Sequence, residues 1–117
     1  MPRAGRDFEE GRTYHVYNRV ASGESVFSDP EEATAFLEIV REIKKRDGWT
    51  LFAWCLMSNH FHLVLRTATI PLWRSMHAVL NRFSRGFNRR SRRTGGLWQS
   101  RYQAKYVSHQ DYLDQLI

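Results

Sequence analysis

The chain has 117 residues, 42% of them hydrophobic and four of them tryptophan, which is enough for one packed domain over 1–117 and too apolar for a disordered segment. No apolar run approaches the ~18 residues that span a membrane, the first twelve residues hold no secretory h-region, and the single cysteine, Cys55, excludes an intramolecular disulfide and fits a reducing, cytoplasmic setting. The net charge of +6 is less telling than its layout: Gly48 to Gln110 contains ten Lys and Arg and no Asp or Glu, which points to a polyanion, nucleic acid before anionic membrane, rather than a surface tuned for solubility.

Residues 1–11 are polar, with Pro2 and two glycines, and read as a loose arm. Thr13 to Val20 alternates and is rich in aromatic and β-branched residues, which predicts a strand. His15, Tyr17 and Arg19 then share one face, and Tyr14, Val16, Asn18 and Val20 the other. Residues 21–25 make a turn, and Val26 and Phe27 a short extended piece. Asp29-Pro30-Glu31-Glu32 is a helix start, with Asp29 at the cap, Pro30 at the first helical position and Glu32 where a capping box places its acid. Ala33, Phe36, Ile39, Val40 and Ile43 recur at helical spacing. Lys44, Lys45 and Arg46 suit the last turn, and Gly48 ends it.

Trp49 to Met57 reads as a strongly apolar strand in which Cys55 is a small core residue. Ser58-Asn59 is a tight turn, and His60 to Thr67 is the return strand of a hairpin. With a period of two, His60, His62 and Val64 share one face of that strand, and Phe61, Leu63 and Leu65 share a core face. Two imidazoles side by side at a strand start are close enough to grip one divalent ion; an isolated His-x-His is otherwise a pair of half-exposed histidines beside a loop. Pro71 opens a second helix with Trp73, Met76, Leu80, Phe83 and Phe87 as its apolar stripe, and Arg74, Arg82, Arg85 and Arg89 largely on another side. The helix is expected to fray into a basic loop from Arg89 to Gly96. Leu97 to Ser108 reads as extended, and Ser108-x-x-Asp111 as the capping box of a last helix.

The order is β, α, β, β, α, β, α. It predicts an α+β fold, a ferredoxin-like antiparallel sheet of four main strands with helices packed on one face, plus a C-terminal helix.

Three blocks, Tyr14-His15-Val16-Tyr17-Asn18-Arg19, then Trp54 through His60-Phe61-His62 to Leu65, then Gly96-Leu97-Trp98-Gln99-Ser100-Arg101-Tyr102-Gln103-Ala104-Lys105, resemble in order and spacing the IS200-like transposases, and within them the REP-associated tyrosine transposases. The resemblance runs from about Tyr14 to the end of the chain. It implies a metal-dependent single-strand DNA endonuclease and transposase of the kind called HUH. In that superfamily a His-hydrophobic-His triplet, here His60 and His62, holds a divalent ion beside a nucleophilic tyrosine. The phenol oxygen attacks a phosphodiester, leaving a 5′-phosphotyrosine link and a free 3′-hydroxyl.

The resemblance also implies a third ligand from the last helix, with Gln115 the best polar candidate and Asp111 or Asp114 as substitutes. Mg2+ or Mn2+ is the expected ion, although two imidazoles suit either only loosely by softness. The implied substrate is a DNA hairpin with single-stranded flanks, and the implied assembly a homodimer. The family's catalytic tyrosine is expected in a Tyr-Ile pair about two residues past Ile117. Tyr112, the in-chain candidate nucleophile, lies about two helical turns earlier, ~10 Å along the axis. Residues 1–117 are therefore expected to bind DNA without forming a covalent adduct, the domain lacking the end of the family's pattern.

The residues point to binding more directly than to cleavage. Arg82, Arg85, Arg89, Arg90, Arg92 and Arg93 are candidate phosphate contacts. Trp98, Tyr102 and Tyr106 interleave with Gln99, Arg101, Gln103 and Lys105, a mixture that allows base stacking and base-edge hydrogen bonds, or for the aromatic face an ordinary core role. Two further readings compete with the nuclease: a non-catalytic hairpin or single-strand nucleic-acid-binding module on the same fold, RNA included, and an unrelated enzyme using the histidines as general bases.

Overall fold

The computed structural model describes residues 11–107. The readings that fall on the N-terminal arm and on the last helix, including Tyr112, Gln115, Asp111 and Asp114, lie outside the described residues. Within them the order is β1 (Thr13–Arg19), two short 3-10 turns (Ala21–Gly23 and Val26–Ser28), α1 (Pro30–Asp47), β2 (Thr50–Met57), β3 (His60–Arg66), α2 (Leu72–Ser91) and β4 (Gln103–Tyr106). The strands form one sheet in the order β2-β3-β1-β4, with every neighbouring pair antiparallel. Each β-α-β connection skips one strand, so this is the ferredoxin-like split β-α-β arrangement expected from the element order.

The alternation of β1 settles which face is covered. Tyr14, Val16 and Asn18 are buried, while His15, Tyr17 and Thr13 are only partly so and Arg19 is exposed. Phe61, Leu63 and Leu65 of β3 sit on the covered face at 0% exposure. Phe36, Val40 and Ile43 of α1 and Met76, Val79 and Phe83 of α2 close over them. Phe36 is the hub, with ring centroids 4.9 Å from Phe61 and 5.4 Å from Phe83. Fully burying aromatics of this size contributes about 1.5–3 kcal/mol each.

Polar pairs clamp the two helices at both ends. At one end Trp49 Nε1 donates to Ser75 Oγ at 3.0 Å, and Ser75 donates to Asp47 at 2.6 Å. At the other, Arg90 grips the Glu32 carboxylate with two bonds of 2.9 and 2.6 Å. That second clamp explains a departure from the capping box. Asp29 does cap α1, accepting from the Glu31 amide at 2.9 Å, but Glu32 turns away from the helix start to meet Arg90.

Several sequence-based expectations change. Val26 and Phe27 form a 3-10 turn whose side chains are buried, not an extended piece. Cys55 is exposed, because β2 is the edge strand and no helix among the described residues lies above its face opposite α1 and α2. Trp73 is 41% exposed; Leu72 and Val79 take the buried positions of the α2 stripe instead. Arg89 and Arg90 do not belong to a frayed loop: the helix runs to Ser91 and ends at Arg92, which adopts the left-handed conformation with φ 58. Among the described residues from Leu97 onward only Gln103–Tyr106 is a strand; Trp98 makes a single bridge to Val20.

Candidate metal centre and nucleic-acid interface

The face of the sheet that no helix among the described residues covers carries the chemistry. The register places Tyr17 opposite His62, Arg19 opposite His60 and His15 opposite Val64. On the far side of β1, Lys105 lies opposite His15 and Gln103 opposite Tyr17. Cross-strand partners share a face, so His15, Tyr17, Arg19, His60, His62, Gln103 and Lys105 form one polar surface.

His60 and His62 project together from a central strand, as their spacing requires. Their ring centroids are 5.2 Å apart. Two imidazoles bound through nitrogen to one ion at about 2.1 Å put their ring centres roughly 5 Å apart, so the spacing fits a shared cation. The hairpin tip is held from outside the sheet: the Val20 amide donates to the Asn59 carbonyl and the Phe27 amide to the Ser58 carbonyl, each at 2.9 Å. His60 therefore starts β3 from an anchored turn.

The same turn fixes the His60 tautomer. Asn59 Nδ2 donates to the Gly23 carbonyl at 3.3 Å, which leaves Asn59 Oδ1 facing His60 Nδ1 at 2.9 Å. An amide oxygen only accepts, so His60 Nδ1 carries the proton and Nε2 keeps a free lone pair. An outer partner of this kind is what orients a metal-binding histidine. His62 Nδ1 lies 2.9 Å from His15 Nε2. Among the described residues no third His, Cys, Asp or Glu completes a ligand set.

Burial pushes the His62 imidazole below the ordinary histidine value of 6.5, and the neighbouring His15 and His60 push it further. Burial and then Lys105 act the same way on His15. Both rings are thus held neutral near pH 7, the form that binds a cation. Below about pH 6.5 the unfolded chain takes up protons that these folded rings resist, so stability should fall as pH drops from 6.5 through the lowered folded values, and level off above. Urea unfolding of the metal-free protein at intervals between pH 5 and 7.5 should show that slope, reduced in His62→Gln; an equal slope in both would mean that His62 does not contribute.

The candidate nucleic-acid contacts divide into three groups. Arg85, Arg89, Arg92, Gln99, Arg101 and Lys105 are exposed. Arg82 is exposed and only 3.8 Å from Glu42, and Arg93 pairs with Glu24 at the surface; both are pairs that a phosphate can displace. Arg90 is different, being committed to Glu32, whose side chain is 7% exposed.

Of the aromatic residues, Trp98 and Tyr102 pack against the core. Trp98 lies 5.6 Å edge-on to Phe61 and donates from Nε1 to the Leu80 carbonyl at 3.1 Å. Both take the core role that the sequence left open for this aromatic face. Tyr106, 41% exposed, sits over Tyr14 with the Arg12 guanidinium 3.7 Å from its ring. Burial, then Tyr106, pushes the Tyr14 phenol up to about 12, far from a phenolate nucleophile.

Sequence reasoning gave His15 and Tyr17 only a place on β1. Their alternation was visible, but their meeting with His62 depends on the β1–β3 register, which no local pattern in the sequence encodes.

No helix among the described residues is long and apolar enough to cross a membrane. No curated protein is similar to the chain in sequence. Among solved structures, the chain is similar to a REP-associated tyrosine transposase bound to a REP hairpin, with a TM-score of 0.79 and 11% identity over 93% of this chain and 64% of that one. It is also similar to a candidate transposase from Deinococcus radiodurans R1, with a TM-score of 0.69 and 23% identity over 96% of this chain and 91% of that one. The chain thus spans just under two thirds of the first neighbour's length, and both likenesses are likenesses of fold. The sequence model described as "Transposase IS200 like" matches residues 10–116, and the chain belongs to the IS200-like transposase family.

Proposed function

We propose that the chain is a metal-dependent DNA-nicking and -rejoining domain that binds hairpin or single-stranded DNA. The observation that carries this reading is the bond between His60 Nδ1 and Asn59 Oδ1, which leaves the His60 Nε2 lone pair available on a ring that shares its strand face with His62. His60 and His62 would hold a divalent cation, with Gln115 as the third candidate ligand. The bound ion would polarise a phosphodiester and offset the charge of the attacked phosphate.

The rest falls to the chain's own groups. The exposed arginines of α2 and the loop after it draw the polyanion in through contacts that salt weakens. Arg19 and Lys105, on the histidine face, suit phosphates nearer the reacting bond. The attack would come from a tyrosine oxygen, within about 3–3.5 Å of phosphorus, and Tyr112 is the in-chain candidate. The neighbour solved with a REP hairpin makes hairpin DNA the first substrate to try. A second reading keeps the binding and omits the nicking; the basic surface alone supports it.

The test uses a labelled hairpin with single-stranded flanks, manganese, and a denaturing gel. A protein-linked band lost in His60→Ala supports the nicking domain. If the band is also lost in Tyr112→Phe, then Tyr112 is the nucleophile. Retarded mobility on a native gel with no covalent product and no manganese uptake by calorimetry would leave the binding module standing and remove the nuclease.

A further inference from the structure

His15 occupies a position that neither the family match nor the His-x-His spacing assigns. Its Nε2 lies 2.9 Å from His62 Nδ1, with ring centroids 5.1 Å apart and planes 26° apart. A nitrogen separation that short at that centroid distance means the rings meet edge to edge, through a hydrogen bond, and not face to face.

We propose that His15 is a positioning residue that fixes the tautomer and ring orientation of His62 for the cation, an inference that rests on the metal reading above. A neutral imidazole has one N–H and one lone pair. The bond between the two rings can therefore run in two directions. If His15 Nε2 donates, the His62 lone pair on Nδ1 is consumed and His62 Nε2 carries the proton, which leaves His62 with no free lone pair for an ion. If His62 Nδ1 donates, its Nε2 keeps the lone pair. His60 is already in this second form through Asn59. Only with His62 in the same form do both rings offer Nε2 from the same face of β3.

The sheet prepares this arrangement. Tyr17 is the residue directly opposite His62, and its ring lies 5.7 Å from the His62 ring. His15 reaches His62 on the diagonal, two residues along β1, with Tyr17 5.2 Å from it. His62 is therefore flanked by Tyr17 and His15 across the β1–β3 pair and by His60 along its own strand. His15 does not itself complete a ligand set among the described residues. Its role is to hold His62, as a carboxylate or carbonyl does for many metal-bound histidines.

The test compares the wild type with His15→Phe, which keeps a ring and removes the acceptor, and His15→Gln, whose side-chain oxygen falls near the place of Nε2 and can still accept. Nitrogen-15 imidazole spectra of the metal-free proteins report the His62 tautomer directly. Manganese calorimetry reports the affinity, and thermal unfolding shows that each variant is folded. The expected result is a His62 protonated at Nδ1 in the wild type and in His15→Gln, with mixed tautomers in His15→Phe. Manganese affinity should fall about 10–100-fold in His15→Phe and recover most of that in His15→Gln.

A wild-type His62 protonated at Nε2 overturns the proposal. So does wild-type affinity in a folded His15→Phe while His60→Ala and His62→Ala have lost the ion. If the wild type itself takes up no manganese, the metal reading fails, and the role of His15 fails with it; that outcome is distinct because it appears before any substitution at His15 is made.

Discussion

His60→Ala and His62→Ala are each expected to lower manganese affinity by more than about 100-fold, beyond the 10–100-fold that follows loss of an outer partner of a metal ligand. Each substitution deletes one of two nitrogen donors on the uncovered face and leaves the core untouched, since Phe61, Leu63 and Leu65 point to the helices. Hairpin DNA binding in the absence of metal should change little, because the arginines read as the main phosphate contacts, Arg82, Arg85, Arg89, Arg92 and Arg93, lie on α2 and the loop after it. Imidazole donors suit manganese better than magnesium, a harder ion that prefers oxygen, so the wild type should bind manganese the more tightly. Calorimetry on the wild type and both variants checks this, with thermal unfolding as the control. Equal heats in all three would remove the site and leave a basic nucleic-acid-binding fold.

The path from sequence to this site was uneven for physical reasons. Side-chain alternation is a local property of a strand, so the split of His60 and His62 from Phe61 and Leu63 could be read from seven letters. The order of elements likewise limited the sheet to a few topologies. Pairing was another matter. His15 meets His62 because β1 runs antiparallel to β3 with Tyr17 opposite His62, and that register is set by the packing of both helices on the far side. Cys55 was misread from the same cause. An apolar stretch looks buried, yet β2 is an edge strand with Phe52 bulged out of register, and Cys55 has open space above it. For Trp98 the letters allowed a stacking or a core role alike, and the choice was settled only by packing, its indole closing the core beside Phe61.

Arg90 separates structural from nucleic-acid-binding charge, and its removal is the second large effect expected. A basic run such as Arg89-Arg90-Ser91-Arg92-Arg93 reads as one patch, but helical geometry sends neighbouring residues in different directions. Arg90 turns back over Gly86, where a Cβ would come within 2.9 Å of its guanidinium, and closes on the Glu32 carboxylate. A charge left alone in a fully buried pair costs about 3–5 kcal/mol. Arg90 is 38% exposed, so solvent takes up part of the loss, and Arg90→Gln should cost about 1–3 kcal/mol of stability. Replacing both partners, as Glu32→Leu with Arg90→Met, should recover most of it, because no buried carboxylate is then left unpaired.

Arg89 and Arg92 should behave in the opposite way. The pair Arg89→Gln and Arg92→Asn, with asparagine chosen because it tolerates the left-handed backbone at Arg92, should leave stability nearly unchanged. On single-stranded DNA it should flatten the slope of log affinity against log salt by about 1.4, at about 0.7 for each lost phosphate contact. Urea unfolding and fluorescence-anisotropy titrations over a range of salt concentrations measure the two quantities on the same proteins. Should Arg90→Gln flatten the salt slope as much as Arg89→Gln does, the guanidinium must leave Glu32 when DNA arrives, and the clamp between α1 and α2 would open on binding.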